Sequence, residues 1–213
     1  MRPRRSTLNP AQHDWVRKWW RALQPREAGS ESLPATLVGM GRRERARLRR
    51  CGTADELLGE PSVLLLADQL IALGGEQWPL FKEAITYERL ALVAGVLAKV
   101  KEDARDQRSL ARRLGNGSGD ERAAMSELRF KRLQRAEDID DLFLQWRRAV
   151  QLAAGKVDVA QLADDLLTWQ LELGQSATRA SDGVKFRWAY DYYLSARDRA
   201  AADDPEPNKE PTP

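Results

Sequence analysis

Apolar residues return every three or four positions along most of this chain and almost nowhere every two, so the pattern predicts helices. Trp15, Trp19 and Leu23 recur at four-residue spacing with Val16 and Ala22 beside them, while Arg17, Lys18 and Arg21 fall on the opposite side. Asn9 before Pro10 marks the start of that helix, because asparagine caps a free N–H and proline tolerates the first turn. A surface loop, QPREAGSESLP, follows. In GRRERARLRR, residues 41–50, the apolar seam narrows to Leu37, Met40, Leu48 and Cys51, and arginines cover the remaining circumference. Gly52 ends this helix, and Thr53 with Glu56 reads as a capping box for a short turn. Residues 61–73 predict a largely buried helix and GGEQWP its end. A long amphipathic helix is expected from about Pro79 to Lys101 or beyond, carrying Ile85, Leu92, Val96 and Val100, followed by the basic piece QRSLARRLG. The run GNGSGDERAA is the most flexible internal segment by composition. Beyond it SELRFKRLQRAE, DIDDLFLQWRRAVQLAAG, VDVAQLADDLLTW and VKFRWAYDYYLSARDRA all keep the helical period.

The expected fold is therefore all-α, a compact helical protein of two closely packed lobes, 8–115 and 124–198. Residues 200–213 are too rich in proline and acid to fold, and predict a disordered tail. The overall charge is +3, but that tail holds Asp203, Asp204, Glu206 and Glu210 against Lys209, so the rest of the chain carries +6. No apolar segment is long enough to span a bilayer, since VLLLADQLIAL is short and broken by Asp68 and Gln69. The chain is expected to have no membrane partner. With Cys51 the only cysteine and His13 the only histidine, neither a disulfide framework nor a Cys/His zinc site can form within one chain. That usage suits a reducing, cytoplasmic setting.

Catalytic chemistry finds little to stand on. His13 has no second histidine to work with and reads as an ordinary polar residue, and Cys51 as a small buried hydrophobe closing its seam. The pairs Asp140/Asp141 and Asp164/Asp165 are magnesium candidates only on paper. The first sits at a helix start, where carboxylates cap and favour the dipole, and the second is expected on the face opposite Leu162, Leu166 and Trp169. GNGSGD follows no strand and precedes no lysine, which excludes a phosphate-binding loop of the usual spacing. We expect no catalytic residue, no metal and no cofactor.

What remains is arginine. Six fall within residues 41–50, a concentration of like charge that costs stability unless a polyanion offsets it. In DLFLQWRRAVQLA the apolar face is Leu142, Trp146, Ala149, Val150 and Ala153, so Arg147 and Arg148 are expected to point away from the core. Lys131, Arg132 and Arg135 cluster on one exposed side of SELRFKRLQRA, whereas Arg129 falls between Leu133 and Ala136 with its stem expected to be buried. Arg112 and Arg113 suit a helix end, and Arg187 has Asp191 one turn on. Trp188 and Tyr192, with Phe186, Tyr190 and Tyr193 nearby, offer rings on which bases stack, but this spacing reads better as core.

Taken in order, WVRKWWRAL, RARLRRCGTADEL, SLARRLG, SELRFKRL, LQWRRAVQL, VDVAQLADDLLTW and WAYDYY resemble the CasB family, the small subunit of Cascade, the RNA-guided surveillance complex of type I-E CRISPR systems. The likeness covers roughly residues 10–195. It implies an all-helical, non-catalytic subunit of an antiviral complex, present in two copies beside the Cascade backbone and large subunits, the CRISPR guide RNA and the target DNA. By position in those motifs it implies Arg49, Arg50, Arg129, Arg135, Arg147 and Arg148 as nucleic-acid contacts. Arg43 and Arg47 join them on local charge density. The expected role is to hold the displaced DNA strand and so stabilise the R-loop, because strand exchange is nearly balanced and backbone contacts tip it. A scaffold that docks guide RNA and neighbouring subunits without touching DNA stands as the alternative, since a basic patch attracts any polyanion.

Overall fold

A computed structural model of the protein describes residues 6–26, 32–78, 80, 86–116, 123–173 and 179–203, with side chains of the last helix as far as Ser195. Its elements, in order, are α1 (Pro10–Ala22), α2 (Arg42–Arg50), α3 (Ala54–Leu58), α4 (Pro61–Gly74), α5 (Thr86–Leu97), β1 (Glu102–Asp103), α6 (Leu110–Gly115), α7 (Glu127–Arg135), α8 (Ile139–Leu152), β2 (Lys156–Val157), α9 (Val159–Glu172) and α10 (Val184–Asp203), with 3₁₀ turns at Ala35–Leu37 and Ala180–Asp182. The all-α expectation holds. Part of the loop after α1 (27–31), the expected start of the long helix including Pro79 and Ile85, most of the expected seam between lobes (117–122) and the tail from 204 lie outside the described residues.

Helix starts follow local chemistry. Asn9 accepts the Gln12 N–H at 2.9 Å while the Gln12 side chain accepts the Asn9 N–H at 2.8 Å, so both free donors at the head of α1 are satisfied. Asp138 does the same for α8, taking the N–H groups of Asp140 and Asp141 at 3.0 and 2.9 Å. At α3, Thr53 accepts from Glu56, and the Glu56 carboxylate reaches back to the Gly52 N–H at 2.6 Å. α2 is shorter than its apolar seam suggests: Leu37 is buried from the 3₁₀ turn, and the helix opens at Gly41, whose N–H bonds to Glu44 at 2.8 Å.

The molecule is built around α5. Every residue from Leu90 to Ala98 is buried, and α2, α3, α4, α8 and α9 all pack on this helix. Gly95 permits the closest approach, since a Cβ there would stand 2.9 Å from both Leu57 and Phe143. The helix ends at Leu97 rather than running on to Lys101. The chain instead turns into β1, which pairs in parallel with β2, Glu102 opposite Lys156 and Asp103 opposite Val157. Three indoles from successive helices, Trp146, Trp169 and Trp188, meet edge to face at 5.9 and 5.0 Å. All three are essentially buried, and each contributes on the order of 2–3 kcal/mol of hydrophobic burial. α6 lies against α10 through Gly115, where a Cβ would collide with the Tyr192 carbonyl oxygen.

The carboxylates of α9 overturn one expectation. Asp164 and Asp165 are fully buried rather than on an outer face. The segment before α1 folds over Asp164, whose carboxylate accepts Ser6 Oγ at 2.9 Å and the N–H groups of Thr7 and Leu8 at 2.7 and 2.8 Å. Burial alone would push this carboxyl up, but hydrogen bonds from His13, Leu8 and Ser6 outweigh it and hold it below the usual carboxylate range. His13 thus serves a structural carboxylate.

Candidate nucleic-acid interface

The arginine helix α2 sorts its side chains by what lies beneath it. Leu48 is fully buried and fixes the helix on α5. Arg45 points inward as well: its guanidinium donates to the Ala98 carbonyl at 3.1 Å and to the Val100 carbonyl, two acceptors freed where α5 ends. Arg47 is partly exposed and lies 3.8 Å from Glu60. Arg42, Arg43, Arg49 and Arg50 are exposed, with no carboxylate in ion-pair range among the described residues.

α8 meets the end of this helix. Arg147 does not lie on a solvated face as expected. It crosses the Phe143 ring at 5.0 Å and donates to the Cys51 carbonyl at 2.6 Å and to the Arg49 carbonyl. Lys99, just beyond α5, donates to the same Arg49 carbonyl at 3.0 Å. The last turn of α2 presents unsatisfied carbonyls and the negative end of its dipole, and that is what draws both cations. Burial pushes the Arg45 and Arg147 guanidinium groups down from their ordinary value, with Arg49 adding to it, yet both stay charged at any physiological pH. Lys99 is lowered to about 8, first by burial and then by Arg147 and Arg49. Arg148, the next residue on α8, is exposed.

The geometry therefore gathers Arg45, Arg49, Lys99 and Arg147 around the end of α2, with Arg50 and Arg148 following two of them in sequence. Lys99 escaped the sequence reading, and Arg45, expected on the basic face of α2 with the other arginines, turns inward. The signal available was a cation near the predicted end of one helix facing the end of another, which needs the pairing of α2 with α5 to be recognised. Arg129 and Arg135 stand on α7. Contrary to expectation, Arg129 is exposed, because α7 packs through Phe130 and Leu133 while Ala136 already lies past the helix end. No hydrogen bond, ion pair or ring contact among the described residues joins α7's arginines to the α2 cluster. α7 is anchored instead on α10, where Phe130 stacks on Tyr192 at 4.0 Å and Tyr193 donates to Glu127 at 3.1 Å. Glu127 also pairs with Lys131 at 2.6 Å.

Other cations are neutralised. Arg17 lies 2.9 Å from Asp158 and 3.5 Å from Asp103, and Arg105 also reaches Asp103 at 3.4 Å. Arg113 meets both oxygens of Asp106 at 2.6 Å, with Arg108 at 3.7 Å. Arg187 turns to Asp165, 4.0 Å away across the helix interface, and not to Asp191, which accepts Ser109 Oγ at 2.5 Å. A cavity of about 180 Å³ lined by Arg108, Arg112, Arg113 and Lys156 looks basic by composition, but Asp106 pairs with Arg108 and Arg113 and Glu102 with Lys156, which cancels two of those charges. Among the described residues no cluster of three or more His, Cys, Asp or Glu is placed to hold a metal ion. Nor is any helix long and apolar enough to cross a membrane.

Residues 44–193 match the family described as CRISPR-associated protein Cse2. The chain is similar to the CRISPR-associated protein Cse2 of Thermus thermophilus, 35% identical over 119 residues, which span 56% of this chain and 61% of that relative. Its fold is similar to that of CasB from Thermus thermophilus, with a TM-score of 0.53 and 26% identity over 88% of this chain and 99% of the other. A chain in E. coli Cascade bound to a PAM-containing dsDNA target shares the fold, with a TM-score of 0.54 and 21% identity over 87% of this chain and 95% of that one.

Proposed function

The chain belongs to the CRISPR-associated Cse2 family, and from that premise we propose that it is a non-catalytic subunit of a type I-E RNA-guided surveillance complex that grips the displaced strand of target DNA and stabilises the R-loop. Arg43, Arg49, Arg50 and Arg148 meet phosphates directly, and Arg129 and Arg135 extend the contact along α7. Arg47 contributes beside Glu60. Arg147 acts mainly by locking α8 to the end of α2, so that Arg148 and the α2 arginines are presented from one rigid edge. A second copy of the chain, the backbone and large subunits and the guide RNA are the remaining partners. One observation carries this reading: the exposed arginines of α2 and α8 have no carboxylate partner among the described residues, while buried neighbours hold their helices in place. Guanidinium groups so arranged bind phosphate without reading sequence.

The test is retention of target DNA by the assembled complex across a salt series. Replacing Arg49, Arg50 and Arg148 together with alanine lowers the log–log salt slope by roughly 0.7–0.9 for each phosphate contact removed and speeds DNA release. Unchanged retention and slope, with assembly of the complex impaired instead, would give the role to scaffolding.

A further inference from the structure

α10 is apolar on two opposite sides, and only one of them is used by the core. Trp188 and Tyr192 are buried, as their spacing predicts. Phe186, Tyr190 and Tyr193, at i, i+4 and i+7, instead remain 49%, 47% and 41% exposed, which corrects the expectation that all five rings belong to the core. With Ala189 and Leu194 they line an open groove of about 370 Å³.

Resting on the reading that the arginines hold nucleic acid, we propose that this face of α10 is a stacking surface for the unpaired bases of a single strand. Two features of the molecule and one of nucleic acid select that ligand. The rings of Phe186 and Tyr190 stand 6.4 Å apart with their planes 30° from parallel, near twice the roughly 3.4 Å repeat of one strand. Every base has a π-face, so such rings accept any sequence, whereas a duplex keeps its base faces covered. The neighbouring charge is also of the right sign. Tyr193 is tied to Glu127 on α7, Lys131 pairs with that glutamate, and exposed Arg135 lies one turn beyond Lys131. Glu127 is thereby neutralised, and the net charge along this edge of α7 is positive. A strand whose phosphates follow α7 can turn its bases onto α10.

The experiment compares binding of oligodeoxythymidylate with that of an abasic oligonucleotide of equal length, at low salt, by the full-length chain. The two ligands carry the same phosphates and differ only in bases. The wild-type chain is expected to prefer the thymidylate strand about tenfold, the scale of base–aromatic stacking. The double variant Phe186→Ala/Tyr190→Ala brings that ratio close to one and leaves abasic affinity and its salt slope unchanged, while Phe186→Tyr keeps the preference. Both substituted side chains are half exposed, so the core is untouched. Equal binding of the two oligonucleotides by the wild-type chain overturns the stacking surface and leaves the arginine grip standing. Binding of neither overturns both. A base preference that survives in the double variant, with assembly into the complex lost, overturns stacking and makes the groove a protein-docking face.

Discussion

The edge where α2 meets α8 and the region around β1 and α6 are both rich in arginine, yet they do opposite things with it. Around β1 and α6, Arg17, Arg105, Arg108 and Arg113 each face Asp103, Asp106 or Asp158. At the α2–α8 edge the inward cations Arg45, Lys99 and Arg147 bond backbone carbonyls, and the outward arginines other than Arg47, which lies near Glu60, face no carboxylate among the described residues. A carbonyl satisfies a guanidinium's N–H groups without cancelling its charge, whereas a carboxylate does both. The first region is therefore a structural joint and the second a standing positive field. Arginine count alone distinguishes neither; the chemistry of the acceptor does.

The largest effect lies on the structural side. Asp158 is buried and accepts Arg17 Nη2 at 2.9 Å, the Gln107 N–H at 2.9 Å and the Gln161 N–H at 3.0 Å, the last being the cap of α9. Asp158→Ala removes that cap and leaves a half-buried guanidinium with only the more distant Asp103. A loss of about 3 kcal/mol of unfolding free energy is expected, seen as a lower urea midpoint, with no change in the salt slope of DNA binding by the folded fraction. A drop in slope would show that the joint also touches DNA.

Arg147→Ala comes next and belongs to both regions' logic. It leaves the Cys51 carbonyl without its donor and the Arg49 carbonyl to Lys99 alone, and costs about 1–2 kcal/mol of stability, measured the same way. Arg147→Lys recovers part of this because one ammonium cannot reach both acceptors as a planar fork does. If Arg147→Ala instead leaves stability intact and removes as much salt slope as Arg148→Ala, the guanidinium is a direct phosphate contact.

These contrasts explain what the sequence conveyed. Helix starts were legible wherever the cap is local: Asn9 with Gln12, Asp138 with Asp140 and Asp141. The buried stripe of α1 was legible from Trp15, Trp19 and Leu23, since one face of that helix is charged. The family order of motifs was legible too. Targets contributed by distant chain were not. Arg45 and Arg147 bond backbone carbonyls, which every residue carries, so no residue type flags the partner. Asp164 is covered by residues 6–8, more than 150 positions away, and Asp165 faces Arg187 on α10, and nothing local announces either. α10 misled for another reason: with rings on both faces, periodicity tells that faces exist but not which one a neighbour covers.

Converting one region into the other is a smaller but sharper test. Asp106→Asn removes the carboxylate between Arg108 and Arg113 while keeping a hydrogen-bond acceptor. The cavity they line with Arg112 and Lys156 then gains positive charge, and nonspecific single-strand affinity at low salt is expected to rise a few-fold, with a salt slope steeper by up to one contact, roughly 0.7. No gain at all would mean that position on the molecule, and not neutralisation, keeps these arginines from DNA.

Lys99 gives the smallest effect and the most direct probe of the field at the α2–α8 edge. Its ammonium is lowered to about 8 by burial and by Arg147 and Arg49, against about 10.4 in an unfolded chain. Between those values the unfolded state binds more protons than the folded one, so unfolding free energy rises as pH climbs from about 8 towards 10. The charged amine is the destabilising form here, and losing its proton relieves the crowding. Since the side chain is only partly buried, solvent screening holds the gain to under about 1 kcal/mol. The urea midpoint of the wild-type chain should therefore climb over that interval relative to Lys99→Met, and Arg147→Ala should shrink the climb by removing one of the two neighbouring cations. A midpoint difference that stays flat from pH 7 to 10 would mean that the Arg49 carbonyl alone sets the state of Lys99 and that the positive field at this edge is weak, which would also weaken the case for a phosphate grip there.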